Sequence, residues 1–200
     1  MIMRRKTFLI SFILTTMIGV IAGKELFDNS GSLRVEGMSN HFNFFLIWVI
    51  EVGLSMGFLQ WLFIQQELKE RWWLVVTFFG LSVGGILGGG IQGIVESFMY
   101  SNMLYTALCN FLIGGSVGFC IGISQWLFLR RLLPQSSSWI IACTIGWAMG
   151  LTFYRTLDLP DLLMSVPLLS LIFRALTLSI PVAGVTGYAI HLMITQKQSV

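Results

Sequence analysis

The amino-acid sequence predicts an all-α membrane protein, a polytopic helix bundle of about six spans arranged as three helical hairpins. Three observations predict this class. Hydrophobic residues make up 56% of the 200 residues and charged residues only 10%, with a mean hydropathy of +0.82, which is far from the composition of a soluble protein. Several apolar stretches have the length of a membrane-spanning helix, and one sequence pattern returns at a fixed interval.

Five apolar stretches have the roughly 20 residues that a helix needs to cross a bilayer, and a sixth is longer and more ambiguous. They lie at about residues 7–23, 42–64, 72–95, 104–129, 138–154 and 175–195. Residues 160–174 carry two prolines and two charges in an otherwise apolar stretch, so we expect an interfacial helix there. The first stretch also resembles a signal peptide, but we expect it to be retained because its end fits the cleavage pattern poorly.

The distribution of basic residues predicts the orientation. Eight of the twelve fall on one side of the expected spans, three fall on the other side, and Arg174 lies in the last span. The eight are Arg4, Arg5, Lys6, Lys69, Arg71, Arg130, Arg131 and Lys197, against Lys24, Arg34 and Arg155. Because cytoplasmic loops carry an excess of Lys and Arg, both termini are expected in the cytoplasm.

Tryptophans near the span ends agree with this arrangement, since indole rings prefer the headgroup level. They are Trp48, Trp61, Trp72, Trp73, Trp126 and Trp139. We expect these side chains to face the membrane interface.

The strongest pattern is a repeat in the second, fourth and sixth spans. The segment GFLQWLFI at 57–64 recurs as GISQWLFL at 122–129. The same interval along the chain then leads to GYAIHLMI at 187–194, which keeps the glycine but has isoleucine and histidine in place of Gln-Trp. This periodicity indicates repeated units, at about 1–66, 67–132 and 133–200 of a single transmembrane domain that covers residues 1–200.

Each repeat carries small residues four positions apart, a spacing that lets two helices approach closely in lipid. These pairs are Gly53/Gly57, Gly118/Gly122 and Ala183/Gly187 in the even spans, and Gly19/Gly23, Gly80/Gly84 and Gly146/Gly150 in the odd spans. A further series, Gly85/Gly89/Gly93, would admit another helix or a flat ligand such as a pigment, and we expect helix contact. The units are parallel, so a pseudo-threefold bundle about the membrane normal is expected.

The doubled Gly-x-x-Gln-Trp-Leu motif, with Arg130 and Arg131 after its second copy, resembles small multi-spanning membrane proteins of cyanobacteria and related bacteria. The resemblance covers about residues 53–150. It implies a helical membrane fold only, and no activity. We expect the protein in a bacterial plasma membrane or a thylakoid. Gln65 and Gln66 stand after the first copy, where the second copy has the arginine pair.

Polar side chains inside the spans are the candidate functional residues, because a polar group in lipid is costly and often marks a functional site. They are Glu51, Gln60, Asn110, Gln125, Arg174 and His191. Glu51 is the strongest candidate, since a carboxylate in mid-span must be protonated, paired or directed at a cavity. Arg174 either forms an ion pair with Glu96, at a similar depth, or binds a ligand.

Gln60 and Gln125 hold equivalent positions in the repeat. Either the two amides form a polar cluster near the threefold axis, or each amide bonds to the backbone of a neighbouring helix. We expect the second arrangement. His191 replaces the tryptophan of the repeat and is expected to be a solvated side chain.

Composition and motifs argue against several classes of function. The net charge of +3 comes from scattered residues, so nucleic acid is not an expected partner. No metal or cofactor is expected, because Cys109, Cys120 and Cys143 lack metal-ligand spacing and two histidines offer few haem ligands. Hydrolase and metalloprotease motifs are missing from the sequence, which favours a protein that is not an enzyme.

We therefore expect a non-enzymatic accessory or assembly protein that contacts membrane lipids and packs through its glycines against a larger membrane complex or another copy of itself. The alternative is a solute- or lipid-binding transport component, in which the polar residues must converge. An intramembrane enzyme would need Glu51, His191 or Asn110 within hydrogen-bond reach of one another.

Overall fold

The computed structural model describes residues 10, 14–16, 18–19, 56–62, 72–96, 103–133, 135–157 and 167–197. Within these ranges all regular secondary structure is helical, which confirms the predicted all-α class. The long helices are α1 (Trp73–Glu96), α2 (Met103–Leu129), α3 (Ser138–Thr156) and α4 (Pro167–Lys197). Residues 56–62 form a further helical segment that precedes α1.

Three of the described helices are long and apolar enough to cross a membrane. They are Trp73–Val95, Met103–Leu129 and Leu176–Gln196, consistent with an integral membrane protein. Large apolar side chains point outward from them, such as Phe79 at 64% and Leu104 at 77% exposure. The 19 residues of α3 are not among these three, because tryptophan, threonine and an arginine dilute its apolar residues.

The last helix begins earlier than the sequence indicates. We expected a separate interfacial helix at 160–174, but residues 167–174 continue directly into the helix that contains the last predicted span. Pro167 stands at its first position, where proline is tolerated because an N–H there would have no partner within the helix. The remaining part of that expectation, residues 160–166, lies outside the described residues.

Consecutive helices pack antiparallel, with glycines at their closest approaches. A methyl group at Gly80 would lie 2.7 Å from Ile121 Cα, and one at Gly84 would lie 2.8 Å from Val117 Cα. The contact between α3 and α4 has the same character, since a methyl group at Gly150 would lie 2.6 Å from the carbonyl oxygen of Leu178. Glycine permits these distances because it lacks Cβ.

The second helix presents its own glycines to α3. While α1 places glycines against α2, Gly114, Gly118 and Gly122 of α2 face α3. A methyl group at Gly118 would collide with the carbonyl oxygen of Cys143, and one at Gly122 would lie 2.9 Å from Ile140 Cα. The backbones of α2 and α3 are therefore in direct contact at three successive turns of α2.

A tight turn joins α2 to α3. The amides of Leu132 and Leu133 donate to the carbonyl of Leu129 at 2.9 and 2.8 Å, so the chain folds back at once. Pro134 follows in the sequence, and proline disfavours helical backbone in the residue before it. Gln135 then adopts a left-handed backbone with φ 51°, which redirects the chain into α3.

Two buried apolar clusters fill the described part of the bundle. The larger cluster lies along the glycine contacts of α1, α2, α3 and α4 and includes Met56, Leu81, Ile113, Val117, Ile121, Trp147, Leu151, Leu178 and Val182. The second cluster, here called the tryptophan cluster, contains Trp73, Leu129, Leu133, Trp139, Cys143, Ile190 and Met193. It marks one end of the bundle, because α1 and α3 begin there and α2 and α4 end there.

Candidate functional site

Gln125 of α2 connects three helices at the tryptophan cluster. Its Nε2 donates to Thr77 Oγ1 of α1 at 2.8 Å, and its Oε1 accepts from Trp139 Nε1 of α3 at 2.9 Å. Cys143 Sγ lies 3.9 Å from the same Oε1. The side chain is 1% exposed, so these bonds form where neither water nor lipid offers competing partners.

Gln60, in the helical segment that precedes α1, makes the same kind of contact. Its Nε2 donates to Thr16 Oγ1 at 3.0 Å, and its Oε1 accepts from Trp73 Nε1 at the longer distance of 3.5 Å. Gln60 is 3% exposed. Each glutamine therefore joins a threonine from the preceding helix to a tryptophan from the following one.

The two glutamine sites are connected through α1. Trp73 donates its indole N–H to Gln60, and its backbone carbonyl accepts from Thr77 Oγ1 at 2.8 Å. Thr77 in turn accepts from Gln125. Hydrogen bonds in such a series polarise one another, and here they run from Thr16 to Trp139 across the described helices.

Apolar residues stand at the corresponding place between α3 and α4. Cys143 follows Trp139 at the same spacing at which Thr77 follows Trp73, and Ile190 follows Gln125 at the same interval at which Gln125 follows Gln60. Cys143 and Ile190 are both fully buried in the tryptophan cluster. Ile190 therefore makes apolar contacts at the position that corresponds to the hydrogen-bonded amides of Gln60 and Gln125.

The partners of the glutamines differ from the expected ones. We expected the amides to bond to the backbone of a neighbouring helix, whereas they bond to threonine and tryptophan side chains. A hydroxyl and an indole N–H together satisfy both ends of the amide, which a helix backbone cannot do because its groups are already paired.

The tryptophans also differ from expectation. Trp73 and Trp139 are each 1% exposed and meet edge to face with their ring centroids 6.0 Å apart, so they do not face the membrane interface. Trp72 is 61% exposed, as an interfacial residue would be. Trp126 is partly buried, and Arg130 lies over its ring at 5.1 Å. Trp48 lies outside the described residues.

Thr16 and Thr77 are the members of this site that sequence reasoning missed. A signal was present, since each lies three positions before the first glycine of an odd-span pair, Gly19 and Gly80 respectively. Cys143 holds the same position before Gly146. The threonines do not stand out beside the glycine pattern, because threonine occurs in many membrane helices without a special role.

The other candidates are dispersed. Asn110 of α2 is buried, and a rise of about 1.5 Å per residue puts it roughly 22 Å along the helix from Gln125. His191 is partly buried beside Ile190 at the tryptophan cluster, so the structure does not bring His191 and Asn110 together. Arg174 lies in α4, and Glu51 and Gly53 lie outside the described residues.

The other glycines that the sequence predicts at helix contacts lie in surroundings similar to those described above. Gly57 faces α1, with Leu74 Cδ1 3.2 Å from an added methyl, and Gly146 approaches Val182 Cα at 3.2 Å on the same measure. Gly187 is buried in α4. Gly90 and Gly93 of α1 differ, because a methyl group on either would meet nothing within 4 Å.

Among the described residues there is no group of three His, Cys, Asp or Glu side chains that could hold a metal ion. No protein-family model, curated protein or solved structure matches the chain.

Proposed function

We propose that the protein is a six-span integral membrane protein of three parallel hairpins and acts as a non-enzymatic accessory or assembly component of a larger membrane complex. The observation that carries this proposal is the burial of Gln60 and Gln125 and the identity of their hydrogen-bond partners. Both are fully buried amides, and both bond to side chains of neighbouring helices instead of lining a cavity. Polar groups used in this way hold helices together.

The threefold hairpin arrangement is supported by the equivalent contacts of the two glutamines. Each bonds to a threonine and a tryptophan on the flanking helices, and the two hold the same position in successive repeats. Antiparallel packing of α1 to α4 agrees with alternating spans, since residue numbers rise along one helix as they fall along its neighbour, as in the contacts of Gly80 with Ile121 and of Gly84 with Val117. The resemblance to bacterial membrane proteins favours a plasma membrane or thylakoid as the location of this bundle.

The orientation of this arrangement is testable by cysteine labelling, after Cys109, Cys120 and Cys143 are replaced. We expect cysteines introduced at Ser32 and Ser101 to react with a membrane-impermeant thiol reagent added to intact cells. A cysteine at Ser137, which is exposed in the turn between α2 and α3, should react only after the cells are opened, because Arg130 and Arg131 hold that turn in the cytoplasm. Labelling at Ser137 in intact cells would contradict the proposed topology.

A partner helix is expected to dock on the open glycines of α1. Gly90 and Gly93 are exposed beside Ile86 and Ile94, which are 61% and 64% exposed. These four residues share one face of the helix by their spacing. Small residues flanked by large apolar ones allow a second helix to approach closely in lipid, as glycines do inside this protein.

This docking is tested with Gly93→Leu in the full-length tagged protein. After mild detergent extraction, quantitative mass spectrometry should recover a membrane protein with the wild type and at least about tenfold less of it with the variant, since a bulky residue separates the helices. Gly184→Leu is the matched control, because a methyl group at Gly184 also meets nothing within 4 Å. Equal recovery with Gly93→Leu and wild type, or no co-purifying membrane protein, would contradict the proposal.

A further inference from the structure

A pocket lies at the end of the bundle opposite the tryptophan cluster. It is a partly open pocket lined by the last turns of α1, the first turns of α2 and the end of α3, and has a volume of about 90 Å³. Its lining residues are Gln92, Val95, Tyr105, Thr106, Cys109, Asn110, Ile113 and Arg155. A single water needs only about 10–15 Å³ on this measure, so a group of several heavy atoms fits.

Asn110 is the feature of this pocket that indicates a ligand. Its side chain is 4% exposed, and its buried Nδ2 makes no hydrogen bond. A buried donor without a partner typically costs about 1–3 kcal/mol, and most buried polar groups in native proteins avoid this cost. The amide lies against a cavity instead of a neighbouring helix, in contrast to the amides of Gln60 and Gln125.

The other polar groups define the chemistry that the pocket would take. Arg155, in the last turn of α3, contributes a guanidinium that is always charged and offers several N–H donors. Tyr105 and Thr106 add hydroxyl groups and Gln92 adds an amide, all of which can donate or accept hydrogen bonds. Donors from Asn110 and positive charge from Arg155 favour an oxyanion, while Val95 and Ile113 provide an apolar wall beside it.

We propose that this pocket binds a phosphate or carboxylate group, held by Asn110 Nδ2 and the Arg155 guanidinium. Charge-assisted hydrogen bonds to both oxygens of such a group suit the guanidinium fork. The group belongs either to the headgroup of an anionic phospholipid or to a free anion, and both present the same oxygens. This inference stands independently of the accessory role, because the pocket and the glycine face of α1 involve different residues.

The test measures the thermal melting of the purified full-length protein in a neutral detergent with three probes. The probes are inorganic phosphate, acetate, and mixed micelles that contain phosphatidylglycerol, with phosphatidylcholine as the uncharged comparison. We expect melting to shift upward by several degrees with phosphatidylglycerol but not with phosphatidylcholine if the source is a lipid. A shift with phosphate or acetate as well identifies a free anion.

Two variants make the result specific. Asn110→Leu should melt at or above the wild type without a probe, because it removes an unpaired buried donor, and it should lose the probe-dependent shift. Arg155→Gln, at an exposed position, should weaken binding by about tenfold or more, as expected for a lost charged hydrogen bond. Ser179→Ala is the control, since Ser179 Oγ is also buried without a partner but lies in α4, away from this pocket.

Three results would overturn the proposal. The first is that no probe shifts the melting of the wild type. The second is an equal shift in Asn110→Leu and the wild type, and the third is an equal shift in Arg155→Gln and the wild type. Arg155→Gln changes an exposed side chain and should therefore leave folding intact. Its result decides the test even when Asn110→Leu yields too little protein to measure.

Discussion

Replacing Gly118 with leucine is expected to cost at least about 3 kcal/mol of stability, at the upper end of typical overpacking effects. A methyl group alone would collide with the carbonyl oxygen of Cys143 and lie 2.8 Å from Trp147 Cβ. A carbonyl in a helix cannot rotate away as a side chain can, so α2 and α3 must separate. The yield of folded protein and the thermal melting in detergent measure this effect.

Two further glycines should give a graded series. At Gly57 the nearest atoms belong to side chains, with Leu74 Cδ1 at 3.2 Å from an added methyl, so Gly57→Leu should cost less than Gly118→Leu. Gly90→Leu should leave melting unchanged or slightly higher, because the position is open and leucine favours a helix by about 0.5–1 kcal/mol over glycine. Equal stability of Gly118→Leu and Gly90→Leu would refute the close α2–α3 contact.

Replacing Gln125 with leucine is expected to destabilise the protein by about 1–3 kcal/mol, the range for a stranded buried donor. The change leaves the indole N–H of Trp139 without its acceptor and Thr77 without its donor. The free energy of unfolding in mixed micelles is the measurement. Gln60→Leu should have a smaller effect, because Trp73 Nε1 is 3.5 Å from Gln60 Oε1, a longer and weaker bond.

A second substitution distinguishes the lost hydrogen bond from altered packing. Trp139→Phe removes the stranded donor, so adding it to Gln125→Leu should cost less than its effect in the wild type, a coupling that a double-mutant cycle measures. Purely additive effects would show that Gln125 and Trp139 do not depend on each other. Unchanged stability of Gln125→Leu would show that an apolar residue serves equally well there, as Ile190 does in α4.

The sequence predicts the helices of this protein better than it predicts their contacts. The spans at 72–95 and 104–129 agree closely with α1 and α2, because apolar length is a direct physical requirement of a membrane helix. The start of α4 was harder to predict, since Pro167 and Arg174 interrupt the apolar pattern without ending the helix.

The candidate site was predicted only in part. Gln125 was recognisable because an amide in an apolar span is unusual, and a repeated position drew attention to it. Its partners were not recognisable, because Trp139 resembles an interfacial tryptophan in sequence and only the fold shows it to be 1% exposed. Asn110 was also identified, but its pocket depends on residues of three helices that no local pattern relates.

The hydrogen bonds of Gln125 also bear on how inserted helices find their correct neighbours. In a bilayer, helices that are already inserted associate without a hydrophobic drive, and several pairings of smooth apolar surfaces are nearly equal in energy. Turning α2 by one residue rotates its side chains by about 100°, which would take Gln125 away from both Thr77 and Trp139. The hydrogen bonds of this amide therefore favour one orientation of α1, α2 and α3 over the alternatives. At the corresponding place between α3 and α4, Cys143 and Ile190 make apolar contacts, so the orientation of α4 depends there on the fit of its side chains.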